Sequence, residues 1–216
     1  MNFKYNIAVD RQLPNDRTLE AYNSAVAQYI EFTAQIHKRE HTPLQKWFDA
    51  SLEHIKDGGR IFEIGSATPR DAAYMRNQGF WVQCSDASIG FVEYLQSVGE
   101  PALYFNVLKH QLIGEYDMIF ANAVAPHFTE PELRLMLHSV ADALQPGKVF
   151  AFSTKYGYGN GWITEKFEPA RFIQYWQPHE LVPILHDYGF EVVYQDIARG
   201  DFSEHTWIMF VLRKVT

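Results

Sequence analysis

Between Arg60 and Thr154 the chain repeatedly exchanges a short apolar run for a stretch of helical spacing. RIFEI is followed by a helix to Gly79, WVQCS by a helix near Ile89 to Val98, and then come ALYFN and DMIFANAV. A helix between consecutive strands returns the chain to the same end of a sheet, so this alternation dictates a parallel sheet covered by helices. A capping box at Thr129 and Glu132 opens a further helix ending near Leu144, Pro146-Gly147 turns the chain, and VFAFST is the fifth strand. The end of the chain departs from the pattern. Only the polar loop ARGDFSE separates EVVYQDI from HTWIMFVLRK, too little for a crossover helix, so these strands must pair antiparallel. The expected architecture is α/β: a doubly wound sheet of seven strands, mostly parallel, finished by a C-terminal antiparallel hairpin.

Helices precede this sheet. Leu19, Tyr22, Val26, Tyr29 or Ile30, and Ile36 recur at helical spacing and predict one amphipathic helix from Thr18 to about Glu40. Thr42 and Gln45 bracket Pro43 as a second helix start, Leu44, Trp47, Phe48, Leu52 and Ile55 form its apolar stripe, and Gly58 stops it. With 216 residues there is room for one α/β domain and a modest extension. Residues 1–57 therefore read as a helical extension and lid, and residues 58–216 as the core.

Charge narrows the partners. Nineteen basic against twenty-six acidic side chains leave a net charge of −7, with no run of Lys and Arg to track a phosphate backbone, so nucleic acid is not expected as a partner. The run WIMFVL is too short to span a bilayer, and MNFKYNIAVD has no apolar signal core. One cysteine, Cys84, excludes an internal disulfide and reads as a buried strand residue. A cytoplasmic protein, monomer or homodimer, without membrane or metal, is the expectation.

The turn after the first strand, EIGSATPRD, carries the chemistry. Gly65 lets a ligand approach the backbone, Glu63 precedes it by two places, and Asp86 ends the second strand, where a carboxylate can accept both hydroxyls of a ribose. Thr68 as cap, Pro69 as first helical residue and Asp71 reaching back describe a helix start. Pro69 removes an N–H that would otherwise face a ligand, and Ala67 costs about 1 kcal/mol or more if its backbone is left-handed.

EIGSATPRD, VQCSDAS, FNVLKHQLIGEYDMIFANAVAPHF, LQPGKVFAFSTKYG and GFEVVYQDI with WIMFVLRK resemble, in order and spacing, the small single-domain type of class I S-adenosylmethionine-dependent methyltransferase, over about residues 18 to 214. The resemblance implies a Rossmann-like fold, S-adenosyl-L-methionine as cofactor and a small-molecule methyl acceptor. It places Glu63, Gly65, Ser66 and Ala67 around the methionine part, Asp86 at the ribose, and Arg70 and Ala87 also among the cofactor-binding residues. Asn106 with Val107 falls at the adenine, Ala121 and Asn122 beneath the cofactor, and Tyr22 as a lid over it. Ala67 and Pro69 stand where the family prefers glycines, and Pro183 falls inside a helix expected from Pro178 to Tyr188. Asn106 and Asn122 read equally well as residues that satisfy turn backbones.

Methyl transfer from a sulfonium needs an in-line nucleophile held close, so positioning supplies much of the rate and a strong base is optional. Candidates for the acceptor side are His127 in AVAPHF and Lys155, Tyr156 and Trp162 in KYGYGNGW. Each has a plainer reading: His127 bonded to backbone before a helix, and KYGYGNGW as a glycine-rich surface loop or a lid. Tyr22 and Tyr29 form one helical face that is either core or cover. HKREH, His37 to His41, matches an inverted zinc-protease pattern, but Pro43 holds Thr42 out of helical geometry and argues against it. Beside methyl transfer stand two further classes, a cofactor-binding protein without turnover and a nicotinamide-dependent enzyme. The missing GxGxxG and the helix-free terminal hairpin count against the last.

Overall fold

The computed structural model describes residues 13–34, 42–165, 167–200 and 205–215. Five parallel strands make the centre of the sheet: β1 (Arg60–Ile64), β2 (Trp81–Asp86), β3 (Ala102–Tyr104), β4 (Met118–Ala121) and β5 (Val149–Tyr156), in the order β3-β2-β1-β4-β5. β9 (Thr206–Lys214) runs antiparallel beside β5, and β8 (Phe190–Arg199) pairs antiparallel with β9. These are the seven expected strands. Two more were not foreseen. β6 (Asn160–Ile163) and β7 (Arg171–Trp176) form an antiparallel ribbon, and β7 pairs with Lys155 and Tyr156 where β5 outruns β4. KYGYGNGW thus holds the end of β5, the turn that leaves it and the start of the ribbon: Gly157 and Gly159 supply positive φ, and the N–H of Tyr175 donates to the Gly159 carbonyl at 3.0 Å.

Strand alternation sorts the core into two layers. Phe62, Ile119, Phe150 and Phe152 face α6 (Glu130–Ala143) and α7 (Pro178–Asp187), which contribute Leu133, Met136, Leu137, Leu181 and Leu185. Pro183 stands inside α7, as expected. Ile61, Phe120 and Ala151 face the opposite way, onto α3 (Pro43–Leu52), α4 (Arg70–Asn77) and α5 (Ile89–Ser97). Trp47 of α3 stacks on Phe120 at 4.9 Å, and its indole N–H donates to the Phe210 carbonyl at 3.0 Å. Burying an aromatic ring of this size while satisfying its one polar atom fastens α3 to the sheet.

The long N-terminal helix divides in two. α1 (Pro14–Ser24) and α2 (Val26–Ala34) meet at Ala25, whose φ of −120° and ψ of 19° leave the helical region. HKREH lies outside the described residues. α1 packs against β7, α5 and the 3-10 turn Ala125–His127, across the carboxyl end of the sheet. No helix among the described residues is long and apolar enough to cross a membrane.

Candidate functional site

The strand order reverses between β1 and β4, and in open α/β sheets ligands lie outside the carboxyl ends of the strands at that point. A cavity opens there, floored by the loops after β1, β2, β3 and β4 and roofed by α1.

The loop after β1 is held tightly. Gly65 has φ +73°, and a Cβ built on it would sit 2.5 Å from Cγ2 of Val124. Ala67 also has positive φ, +49°, and this turns its N–H onto Oδ2 of Asp86 at 2.9 Å. Helix α4 does not use Thr68 as its cap. Pro69 is the N-cap and makes no side-chain bond, while the Thr68 N–H is spent on the Ser66 carbonyl. Asp71 does not reach back either: it pairs with the Arg70 guanidinium and accepts from Nδ2 of Asn122 at 2.8 Å. Ala67 holds its left-handed conformation at a cost of about 1–2 kcal/mol, offset by the smaller backbone freedom of alanine in the unfolded chain. Ala67→Gly is therefore expected to leave stability unchanged or raise it by up to about 1 kcal/mol. Thermal unfolding checks this, and a fall in stability would show that Ala67 has another role.

Asp86, at the end of β2, is buried and accepts from Ala67 N–H and, through Oδ1, from the Ser88 N–H at 2.8 Å. Burial pushes its carboxyl up to about 6, against the pull of the Ser88, Ala67 and Ala87 amides. Each carboxylate oxygen has a second lone-pair direction, and the residue lines the cavity. Asn106 is buried beside it. Its Oδ1 accepts from the Leu108 N–H at 2.9 Å, satisfying the turn, but its Nδ2 is buried with no partner among the described residues. A buried donor left in this way points to an acceptor that belongs in the cavity.

Asn122 is spent differently. Ala123, with φ +59°, donates to Oγ of Ser153 at 2.8 Å, Ser153 donates to Oδ1 of Asn122 at 2.8 Å, and Nδ2 of Asn122 donates to Asp71. This chain ties the ends of β4 and β5 to α4. Behind the loop, Ser66 donates to Oε2 of Glu63 at 2.6 Å. Burial, with Asp71 nearby, raises the Glu63 carboxyl well above the usual range.

Tyr22 of α1 closes the cavity from above. His127 Nδ1 lies 2.8 Å from the Phe172 carbonyl, which can only accept, so Nδ1 carries the proton. Nε2, 2.8 Å from the Tyr22 oxygen, therefore accepts from the Tyr22 hydroxyl. Burial raises the Tyr22 phenol above its ordinary range. Tyr22 also packs against Tyr29, Phe91 and Phe167, so the aromatic face of this helix is both core and cavity wall. On the far side Lys155, at the end of β5, is buried. Burial draws its amine down to about 8; Glu165 opposes this and Arg171 adds to it.

Of the residues expected at the site, Tyr22, Gly65, Ala67, Asp86, Ala87, Asn106, Val107, Asn122, His127 and Lys155 line this one cavity. Glu63, Ser66 and Arg70 lie behind the loop wall, Ala121 is enclosed in the sheet, and Tyr156 and Trp162 face outward. Arg171, Glu165, His205 and Trp207 line the cavity without having been foreseen. A lone arginine inside the apolar run ARFIQYW was the readable signal for the first of these.

A family model described as a methyltransferase domain matches residues 36–195. No curated protein sequence matches the chain. Among solved structures, the 1,6-didemethyltoxoflavin-N1-methyltransferase of Burkholderia thailandensis, crystallised with 1,6-didemethyltoxoflavin and S-adenosylhomocysteine, is 15% identical. It covers 97% of this chain and 94% of its own, with a TM-score of 0.67. The magnesium protoporphyrin IX methyltransferase of Synechocystis PCC 6803, with bound SAM, is 14% identical and covers 95% of this chain and 100% of its own, with a TM-score of 0.68. The [4+2]-cyclase SpnF has the same fold at 12% identity, covering 94% and 96% with a TM-score of 0.69. At these identities the structures share the fold.

Proposed function

Because this chain belongs to the methyltransferase-domain family, we propose that it is an S-adenosylmethionine-dependent methyltransferase acting on a small-molecule acceptor in the cavity beneath α1. The observation that carries this reading is the pair of polar side chains after β2 and β3 that line the cavity, one of them with an unpaired donor. Asp86 lines the cavity with both carboxylate oxygens able to accept beyond their backbone bonds, and Asn106 offers a donor without a partner among the described residues. A ribose supplies the hydroxyls and an adenine edge the acceptor that such a pair requires. Two of the structural neighbours were crystallised with SAM or S-adenosylhomocysteine, which supports the same ligand here.

In this reading Asp86 holds the ribose, Asn106 and Val107 meet the adenine, and Gly65, Ala67 and Ala87 give close backbone approach. Glu63, Ser66, Arg70 and Asn122 fix the loop from behind, and Ala121 supports it from the sheet. The cofactor supplies an electrophilic methyl group. The protein's part is to hold an acceptor in line beside it under Tyr22 and to exclude water, for which orientation alone is worth many orders of magnitude. Lys155, titrating near 8, is available to take up an acceptor proton directly, whereas His127 Nε2 is occupied by the Tyr22 hydroxyl and could do so only by taking that hydroxyl's proton as Tyr22 accepts the acceptor's. Tyr156 faces away from the cavity and is assigned no contact with the reacting atoms.

Calorimetric titration with S-adenosylmethionine, S-adenosylhomocysteine and NAD tests the reading. Micromolar binding of the sulfur compounds and none of NAD is expected, and absence of both in folded, ligand-free protein sinks it. The ionisation of Asp86 adds a signature. Bonding to ribose hydroxyls favours the carboxylate, so the bound group has the lower pKa, and binding releases a proton where the free group is protonated. Affinity for S-adenosylhomocysteine should hold above pH of about 6 and fall by up to about tenfold per pH unit below it. A flat profile would argue against Asp86 as the ribose contact. A cofactor-binding protein without turnover is the second reading; it rests on left-handed Ala67 and on the amide that Pro69 lacks. Saturable binding without methyl transfer to a broad acceptor panel would favour it.

A further inference from the structure

Arg171 enters the cavity from β7 with only 2% of its surface exposed. Its Nη1 donates to the Tyr22 oxygen at 3.3 Å, and its guanidinium lies over the Phe167 ring at 4.5 Å. Its Nε and Nη2 are buried with no partner among the described residues. These two nitrogens share one edge of the guanidinium plane, the edge whose parallel N–H bonds match the two oxygens of a carboxylate. A buried, uncompensated cation is costly, and cavities that contain one are built for its counterion.

The surroundings set the charge of that counterion. Lys155 is the other buried basic side chain at this end of the cavity, and Glu165 its acid. Glu165 is already engaged by His205 Nε2 at 2.5 Å and forms no ion pair with Arg171. Among the described residues Arg171 is therefore left without a partner for its charge, which one carboxylate of a ligand would supply. Trp207, Ile173 and Ile163 line the remainder and suit a flat or apolar body.

Resting on the methyltransferase reading above, we propose that the methyl acceptor is a small carboxylic acid whose carboxylate docks bidentately on the Nε and Nη2 edge of Arg171. Arg171 is then a specificity residue for the acceptor, and the carboxylate is its anchor. Nothing in the cofactor-holding set, Asp86, Asn106 and the Gly65 loop, is asked to contribute.

The test is calorimetry on protein with and without saturating S-adenosylhomocysteine, using benzoate and phenylacetate against their uncharged counterparts, benzamide and phenylacetamide, with inorganic phosphate as a further anion. The acids should bind at least about tenfold more tightly than the amides, the factor that one charge-assisted bond of about 1.5 kcal/mol confers. Arg171→Gln should abolish that preference while leaving S-adenosylhomocysteine affinity within about threefold, and Arg171→Lys should retain part of it. Equal affinity for acid and amide, failure of either acid to bind, or phosphate binding as well as the acids overturns the proposal. So does a loss of S-adenosylhomocysteine affinity in folded Arg171→Gln, which would assign this edge to the cofactor's own carboxylate. Should the variant not fold, the acid-to-amide ratio on the unaltered protein decides alone. Failure of S-adenosylhomocysteine to bind the unaltered protein would instead sink the methyltransferase reading, and acid binding without it would show the anion site standing independently.

Discussion

Gly65→Ala is expected to lower stability by about 3 kcal/mol, the sum of a left-handed alanine, about 1–2 kcal/mol, and an overpacked side chain, about 1–3 kcal/mol. The second part is specific. The new methyl would lie 2.5 Å from Cγ2 of Val124, a β-branched residue with little freedom to rotate aside. In a chain of this size the loss corresponds to a melting temperature lower by about 6–12 °C. Adding Val124→Ala should restore the steric share and leave the backbone share, so a double-mutant cycle should show coupling of about 1–3 kcal/mol. Strict additivity would mean that the loop moves and that Val124 does not define its shape.

On the proposed role of Asp86 at the ribose, Asp86→Asn should weaken S-adenosylhomocysteine binding by about 100-fold near pH 7.5, since two charge-assisted bonds, together about 3 kcal/mol, would become neutral or be lost. Asparagine nearly preserves the shape, but the carboxylate accepts backbone N–H groups through both oxygens, Ala67 on one and Ser88 on the other. An amide has one oxygen, so one of those N–H groups must face an NH2 group. Some destabilisation will accompany the loss, on the order of 1–3 kcal/mol. Circular dichroism and unfolding curves separate the two effects. A folded Asp86→Asn protein with unchanged affinity would remove Asp86 from the ribose site.

What could be read from the sequence follows from the range of the forces involved. The five parallel strands and the terminal hairpin were legible because each rests on local periodicity and on a linker too short for any other connection. The capping boxes were legible for the same reason: Thr42 accepts the Gln45 N–H at 3.2 Å and Glu132 accepts the Thr129 N–H at 2.8 Å. The ribbon of β6 and β7 was not, because its first strand, NGWI, has little apolar alternation and is ordered by its partner. The break at Ala25 was hidden because the apolar stripe runs through it. Within the cavity, Asp86 and Gly65 announce themselves by position along the first two strands. The state of Arg171 is a property of burial and of missing neighbours, which no spacing encodes. The two asparagines show the limit most clearly: alike in sequence context, Asn122 is spent on Ser153 and Asp71, and Asn106 keeps a donor in reserve.

The way α1 is fastened has a kinetic consequence. Its buried apolar residue is a small one, Ala21. The bonds that hold it across the cavity are polar. Thr18 accepts from the Phe172 N–H at 3.0 Å, Tyr22 meets His127, Asn23 accepts from Ser88 at 2.7 Å, and Asp16 pairs with Lys109 at 2.7 Å. Water can replace each of these at a net cost of about 0.5–1.5 kcal/mol. Lifting α1 thus exchanges these hydrogen bonds for water and uncovers the rings packed on Tyr22, while the two core layers of the sheet stay closed, so the roof comes away at a fraction of the cost of unfolding the core. A ligand larger than any static opening would then have a route in past this helix, and its rate of exchange would follow how often the helix lets go.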